Sequence, residues 1–428
     1  MPGSPASALD SRSRALAMLA LIVAGETMFV LPFVIVRVFR TTFLDVFGLS
    51  NLQLGSAFSV YGAVAMVSYF LGGPLADRIA PRRLIAIALA ITALGGGVFA
   101  SVPAIGVLRL LYAFWGVSSI LLFWAALIRA AREWGGDDTQ GRAYGLLDGG
   151  RGLLAAVLAS LAVSLFASLL PADVQSATLA QRRAALAQVI SAGAVLTMLA
   201  AAFAWFALPR GTVEANREPR TTFGAVRAAA RLPGVWLQAV VIVCAYFAYK
   251  ATDNFGLYAY EVLGYDDVAA ARLGSLAFWM RPLAALGAGL LADRVQGSRL
   301  LAAGFALLMA GALALASAAP SLMRLPAMFV TTVAVTSLAI YALRAIYHAV
   351  MNEARVPLAV TGSAVGLVSV IGYLPDVFAG PLIGWLLDRH PGALGHRQVF
   401  LVVAALALVG LLATLAFRKA TRAPRDPT

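Results

Sequence analysis

The sequence predicts an all-α membrane protein in which twelve transmembrane helices form two pseudo-symmetric six-helix bundles. Of its 428 residues, 61% are hydrophobic and only 12% are charged, which is too little polar surface for a soluble protein of this length. A short charged segment also occurs twice, beginning at Gly73 and again at Gly289. Because that displacement is about half the chain, the two halves are predicted to be a tandem duplication.

Twelve apolar stretches are each long enough to cross ~30 Å of hydrocarbon as a helix. In chain order they are 15–39, 54–76, 83–102, 106–130, 143–170, 187–208, 234–258, 269–292, 299–318, 324–348, 358–386 and 398–417. Six lie on each side of a polar stretch that contains five arginines and two prolines. We therefore expect an N-terminal bundle over 1–208, a cytoplasmic linker over 209–232 and a C-terminal bundle over 233–428.

The repeated segment ends one apolar stretch and precedes the next, so each copy predicts a tight charged turn between two helices. The copies are Gly73-Pro74-Leu75-Ala76-Asp77-Arg78 and Gly289-Leu290-Leu291-Ala292-Asp293-Arg294. This motif resembles the signature loop between the second and third helices of the major facilitator superfamily of secondary transporters. The first copy departs from the family pattern at Ala80, where a glycine is usual. The resemblance implies a small-molecule substrate that binds in a cavity among the helices.

The positions of the basic residues indicate which side of the membrane is cytoplasmic. With both termini inside, most of the 33 Lys and Arg residues fall in inner loops or at inner helix ends. The positive-inside rule favours this orientation, and the same bias explains the net charge of +13. We expect a monomeric multi-pass protein of the cell inner membrane. Its partners are the lipid bilayer, a small solute and a proton, and no nucleic acid, because no basic patch lies on a soluble face.

Charged side chains at membrane depth are costly, so each one is a candidate functional residue. They fall almost entirely on the helices that the family resemblance places around the cavity, and the interiors of helices three, six, nine and twelve contain none. The charged residues at membrane depth are Glu26, Arg37, Arg40, Asp148, Arg151, Lys250, Asp253, Arg281, Arg344 and Asp376.

Arg281 is the first candidate for substrate binding. It precedes the turn residue Asp293 by 12 positions, which places it about 18 Å from the inner end of its helix, near the midplane. A guanidinium there suits a carboxylate, phosphate or sulfonate, although a structural ion pair or a gating role is the alternative. The duplicated position in the first half is Ala65, so this feature is asymmetric. Further substrate candidates are Arg37, Lys250, Tyr61, Trp124 and Tyr249.

Three acidic residues are candidates for proton coupling, since a carboxylate within the membrane can take up and release a proton during transport. They are Glu26, Asp253 and Asp376. Each could instead be a permanently paired acid that fixes helix packing. Lys250 and Asp253 are three positions apart, as are Asp148 and Arg151. The members of each pair therefore share a helix face and can neutralise each other.

A second set of charged residues is predicted to gate the cavity at the inner face. Arg129 and Arg344 are separated by nearly the same displacement as the two copies of the loop, so these two are predicted counterparts. Ordinary positive-inside bias is the alternative explanation for both. The predicted gating residues are Asp77, Arg78, Arg129, Asp148, Arg151, Asp293, Arg294 and Arg344.

Together these features predict a secondary active transporter that moves a small polar solute by alternating access. The basic candidates favour an organic anion, namely a carboxylate, a phosphate ester or a sulfonate, and the acidic candidates favour proton coupling over anion exchange. The runs Phe123–Arg129 and Gly141–Gly152 are similar to those of bacterial permeases related to the organophosphate antiporter branch, which includes sulfosugar and sulfonate transporters. A multidrug or metabolite exporter and a non-transporting sensor are the alternatives.

Motifs for other functions are absent from the sequence. It contains no G-x-x-x-x-G-K-[ST] phosphate-binding loop, no H-E-x-x-H pattern and no nucleophile elbow with partners. We therefore expect neither an enzyme nor ATP-driven transport, and we predict no cofactor and no metal site.

Overall fold

A computed structural model describes residues 11–135, 140–210, 223–292, 295–317, 325–347, 350, 353 and 361–422. Within these ranges the regular structure is entirely helical. Eleven helices are long and apolar enough to cross a membrane. We number them, with one further helix, in chain order: α1 Arg12–Val38, α2 Asn51–Arg78, α3 Pro81–Ala100, α4 Ile105–Gly135, α5 Arg142–Leu169, α6 Leu179–Ala207, α7 Pro233–Leu263, α8 Asp267–Ala292, α9 Gly297–Ala316, α10 Pro326–Ile346, α11 Ala364–Arg389 and α12 Ala393–Thr421.

The further helix, α8, corresponds to the predicted span 269–292. Its 26 residues are enough to cross the hydrocarbon layer, at about 1.5 Å of rise per residue. Two arginines, Arg272 and Arg281, lie within it. Each of the twelve predicted stretches therefore coincides with a helix, and the predicted all-α fold is confirmed.

The helix ends show where hydropathy alone places a boundary wrongly. α6 begins at Leu179 instead of the predicted residue 187, because a capping box starts it there. The Thr178 hydroxyl accepts from the Gln181 N–H, and the Gln181 side chain accepts from the Thr178 N–H. The first turn is polar, so a search for apolar runs does not detect it.

The first helix of each half contains an irregular turn. In α1, residues Val30–Val34 form a π-helical turn that includes Pro32, which has no N–H to donate. The Tyr112 hydroxyl donates to the Pro32 carbonyl at 2.7 Å. In α7, Thr252–Asn254 form a 3₁₀ turn. Irregular turns of this kind leave backbone N–H and C=O groups without their helical hydrogen bonds within the membrane. Neighbouring polar groups such as the Tyr112 hydroxyl must then bind them.

The duplication is visible in the backbone as well as in the sequence. Gly48 and Gly264 both have a positive φ, at 59° and 74°. Their separation along the chain equals that between the two copies of the charged loop. Each follows the last turn of a helix and accepts the left-handed conformation that ends it at little steric cost. The chain therefore reaches the start of α2 and of α8 through the same turn.

Many large apolar side chains are exposed, as a membrane-spanning surface requires. Phe206, Leu110, Phe70 and Leu94 keep 67–81% of their surface accessible. A soluble protein rarely exposes so many large apolar groups, whereas lipid solvates them. The buried interior is also apolar, and its largest side chains include Trp115, Tyr112 and Phe99.

Contacts divide the chain into two compact units. One unit is Met1–Arg217 with Tyr265–Trp279, and the other is Glu218–Gly264 with Met280–Thr428. The N-terminal half of α8 therefore belongs to the first unit and its C-terminal half to the second. The bundle boundaries at residues 208 and 233 stay a prediction.

Close packing of α3 against α6 depends on one glycine. A Cβ atom at Gly96 would lie 2.5 Å from the Cβ of Ala194, whereas a Cβ at the neighbouring Gly97 would meet no atom within 4 Å. We expect Gly96→Ala to lower the free energy of unfolding by about 1–3 kcal/mol because of overpacking. Gly97→Ala is the matched control and should be neutral or slightly stabilising.

Thermal unfolding of the detergent-solubilised variants tests this expectation. A melting temperature of Gly96→Ala equal to that of Gly97→Ala would contradict the close approach of α3 and α6.

Candidate functional site

The first unit contains a charged cluster built around Arg151 of α5. Its Nε lies 3.6 Å from Glu26 Oε2 on α1, and its Nη1 lies 3.5 Å from Asp148 Oδ1 one turn earlier. The guanidinium carbon also lies 5.8 Å from the ring centre of Phe29 and 5.7 Å from that of Trp124. Glu26 and Arg151 are buried, and the Asp148 side chain is 72% exposed. The charge of Arg151 is thus neutralised by two carboxylates.

A glycine on α1 provides the space for this arginine. A Cβ at Gly25 would lie 2.8 Å from Arg151 Cδ, so a larger residue would displace the side chain. The predicted same-face pair of Asp148 and Arg151 is therefore present, and Glu26 adds the buried partner from another helix.

The second unit contains a different cluster on α7 and α11. Lys250 Nζ lies 2.7 Å from Asp376 Oδ1, and the Tyr246 hydroxyl donates to the two carboxylate oxygens at 3.0 and 3.1 Å. The side chains of Lys250 and Asp376 are 10% and 13% exposed. α11 is interrupted before Pro375, so Asp376 lies in a new first turn, where the helix dipole also favours a carboxylate.

Arg344 of α10 joins this cluster through aromatic rings. Its guanidinium carbon lies 3.7 Å from the ring centre of Tyr249 and 5.4 Å from that of Tyr246. Lys250 Nζ lies 5.6 Å from the same Tyr246 ring. Tyr246, Tyr249 and Lys250 share one face of α7 through their spacing of three and four positions. Both cations therefore lie near the Tyr246 ring.

Other predicted substrate residues lie on α1, α2 and α8. Arg37 is buried, with its guanidinium carbon 5.4 Å from the ring centre of Phe278. Tyr61 is buried, and its hydroxyl lies 2.8 Å from the hydroxyl of Ser119. Arg281 is partly exposed on α8. Asp253, a predicted proton-coupling residue, is buried in the 3₁₀ turn of α7.

At the predicted inner face, Arg129 binds the end of α2 through backbone groups. Its Nη1 donates to the Ala76 carbonyl at 2.5 Å and to the Asp77 carbonyl at 3.4 Å, while its Nε lies 2.7 Å from Glu133. The side chains of Asp77 and Arg78 are exposed. Arg129 and Arg344, predicted as counterparts, therefore have different partners. Asp293 and Arg294 lie outside the described residues.

Sequence reasoning missed a third polar cluster, which lies at the opposite ends of the helices. Arg182 at the start of α6 lies 3.3 Å from Asp267 and 3.5 Å from Asp45. The Thr42 hydroxyl donates to Asp267 at 2.8 Å. Asp267 is the first residue of α8 and is almost fully buried. These residues all belong to the first unit.

The second unit repeats part of this arrangement. His396 Nε2 on α12 lies 2.9 Å from Glu261 Oε2 on α7. Glu261 follows Asp45 by the repeat displacement, and His396 follows Arg182 by nearly the same displacement. The displacement that relates the two copies of the charged loop also leads from Asp45 to Glu261. Searching for charged residues at that displacement could have found the pair of Arg182 with Asp45 and the pair of His396 with Glu261.

The chain is similar to one protein family and to several known proteins. The model of the Major Facilitator Superfamily matches residues 15–355. "Inner membrane protein YqcE" of Escherichia coli (strain K12) is 29% identical over 89% of this chain and 89% of that protein. "Inner membrane protein YihN" of the same organism is 24% identical over 92% of this chain and 93% of that protein.

Solved structures are similar in fold. The nucleoside transporter NupG aligns with a TM-score of 0.72 at 16% identity, over 94% of this chain and 99% of that one. A bacterial homologue of the human lysosomal transporter Spinster, in an inward-facing and unoccupied conformation, aligns with a TM-score of 0.74 at 16% identity, over 97% of this chain and 100% of that one.

The two acids that contact Arg151 should contribute unequally to stability. Glu26→Gln leaves a buried guanidinium without its buried counter-charge, which we expect to lower the free energy of unfolding by about 3 kcal/mol. Asp148→Asn removes an exposed partner and should change it by less than about 1 kcal/mol. Melting temperatures of the two purified variants test this difference, and equal values would contradict the assigned burial.

Proposed function

The chain belongs to the major facilitator superfamily, and from that premise we propose that it is a proton-coupled secondary transporter of a small organic anion. Membership supports transport of a small molecule across a membrane by alternating access, and not catalysis. Two relatives are named inner membrane proteins, which supports the same location here. As part of the proposal, both termini are cytoplasmic and the protein is a monomer. The solved relatives are too distant in sequence to indicate a substrate.

The charge of Arg344 supports an anionic substrate most directly. Within the described residues, its side chain contacts tyrosine rings and has no carboxylate within ion-pair distance. The charge of nearby Lys250 is already neutralised by Asp376. A cation whose partners among the described residues are aromatic rings favours an oxyanion, which a guanidinium can bind with paired hydrogen bonds.

The substrate class includes carboxylates, sulfonates and phosphate esters, as the resemblance to organophosphate and sulfonate permeases suggests. Arg281 is proposed as a second cationic contact, and Arg37, Tyr61 and Trp124 as further ones. Glu26, Asp253 and Asp376 are the proposed proton acceptors. The inner-face residues Asp77, Arg78, Arg129, Asp148, Arg151, Asp293 and Arg294 remain proposed gating residues.

The direct test is uptake into proteoliposomes with an imposed pH gradient, acidic outside. The panel contains gluconate, isethionate and glycerol 3-phosphate, with uridine as the uncharged comparison. We expect at least one anion to accumulate only when the gradient is present and the protein is intact. Uptake of uridine alone would contradict the proposal of an anionic substrate. Anion uptake at the same rate with and without the pH gradient would contradict proton coupling.

Arg281→Ala should weaken transport of the identified anion, because it removes a charge-assisted contact. We expect the apparent affinity to fall by about tenfold or more. Arg272→Ala changes an exposed arginine on the same helix and should leave uptake unchanged. Initial rates over a range of anion concentrations test both variants. An unchanged affinity in Arg281→Ala would remove that residue from the substrate site.

A further inference from the structure

We propose that Arg344, Lys250 and Asp376 form one site that binds an anion together with a proton. In this site a proton on Asp376 releases Lys250, which then joins Arg344 at the bound anion. The inference rests on the proposed function and adds the residues that couple the proton to the substrate. It also moves Arg344 from the predicted inner gate to the substrate.

The ring contacts of Arg344 do not use its hydrogen-bond donors. Its cation–π contact with Tyr249 uses the positive charge but none of the five N–H donors of the guanidinium. No hydrogen bond from these donors to another described residue is formed in the structure. The side chain remains partly exposed. Among the described residues, Arg344 is therefore held by aromatic rings, and these contacts leave its N–H donors unused.

Lys250 lies near the same aromatic ring as Arg344. Its ammonium and the Arg344 guanidinium lie at 5.6 and 5.4 Å from the centre of one ring, that of Tyr246. Both cations are therefore close to the same side chain, and in the proposed site one oxyanion contacts both of them. Asp376 holds Lys250 at 2.7 Å and keeps it from such a contact while the carboxylate is charged.

A proton on Asp376 removes the negative charge that neutralises Lys250. The contacts of Asp376 with described residues come from Lys250 and from the Tyr246 hydroxyl, and all of them stabilise the charged carboxylate. Once protonated, the carboxyl group no longer neutralises Lys250. An anion can then replace the lost negative charge. Anion binding and protonation of Asp376 therefore favour each other.

Other titratable groups surround this pair without replacing either member. Tyr373 packs edge-on against Tyr246 at 4.9 Å, and Tyr341 packs against Tyr249 at 6.0 Å. Asp253 lies in the following turn of α7. In the first unit, Arg151 already has two carboxylate partners, so that cluster lacks the excess of positive charge that an anion requires.

The ligand class that fits is an oxyanion with one head group, such as a carboxylate or a sulfonate. Two cations can contact that head group, and the tyrosine rings offer apolar faces to the rest of the solute. One proton bound with one singly charged anion leaves the charge of the site unchanged during the loaded step.

Binding of gluconate and isethionate to the purified protein, measured by titration calorimetry at several pH values between about 5 and 8, tests the coupling. In the wild type we expect Kd to rise with pH, by up to about tenfold per unit where one proton binds with each anion. Asp376→Asn should bind with the low-pH affinity at every pH, because the neutral amide mimics the protonated acid. Arg344→Gln should lose at least about tenfold in affinity at every pH.

The control for the arginine is Arg397→Gln, which changes an exposed residue of α12 and should bind as the wild type does. If Asp376→Asn does not fold, the double variant Lys250→Gln with Asp376→Asn keeps an uncharged polar pair. That variant should bind weakly and without pH dependence. Persistence of the wild-type pH dependence in the variants at Asp376, or wild-type affinity in Arg344→Gln, would overturn the inference.

Glu26→Gln distinguishes Glu26 from Asp376 as the residue that binds the proton. If it abolishes the pH dependence while Asp376→Asn retains it, the proton binds in the first unit and the inference is wrong. In either case the proposed function stands, provided that wild-type vesicles take up an anion under a pH gradient. It fails separately if none of the anions is transported.

Discussion

Neutralising charge inside the membrane is the constraint that organises this protein. An ion in hydrocarbon costs several kcal/mol unless a counter-charge or hydrogen-bonding partners accompany it. Arg151 meets the requirement with Glu26 and Asp148, and Lys250 meets it with Asp376. Arg344 has tyrosine rings as its partners among the described residues. That difference in neutralisation distinguishes Arg151 from Arg344, the proposed contact for the substrate anion.

The duplication explains why so much of the fold was predictable. The composition of each segment decides whether it lies in lipid or in water, so the long apolar stretches and the repeated charged loop can be recognised in the sequence. Helix number and order could therefore be predicted. The same displacement recurs in the left-handed turns at Gly48 and Gly264 and relates Asp45 to Glu261. The halves also differ, since Arg182 pairs with a second acid, Asp267, whereas the partner of His396 is Glu261 alone among the described ion pairs.

Partner choice between helices could not be predicted. Sequence spacing identifies neighbours on one helix, and it correctly suggested the contact of Asp148 with Arg151. It suggested Asp253 as a partner of Lys250, and the structure adds Asp376 of another helix at 2.7 Å. Residue numbers give the depth of a side chain along its own helix. They do not show how that helix is rotated and packed against its neighbours. For the same reason the contact of Arg344 with Tyr249 could not be predicted, and a gating role for Arg344 stays a prediction.

The most direct test of this account is an experimental structure of the protein with the transported anion bound at acidic pH. The account predicts density for the anion head group in contact with the guanidinium of Arg344 and the ammonium of Lys250. It also predicts that the distance from Lys250 to Asp376 exceeds the 2.7 Å seen here. An anion bound elsewhere, with that ion pair intact and Arg344 still in contact only with tyrosines, would contradict it.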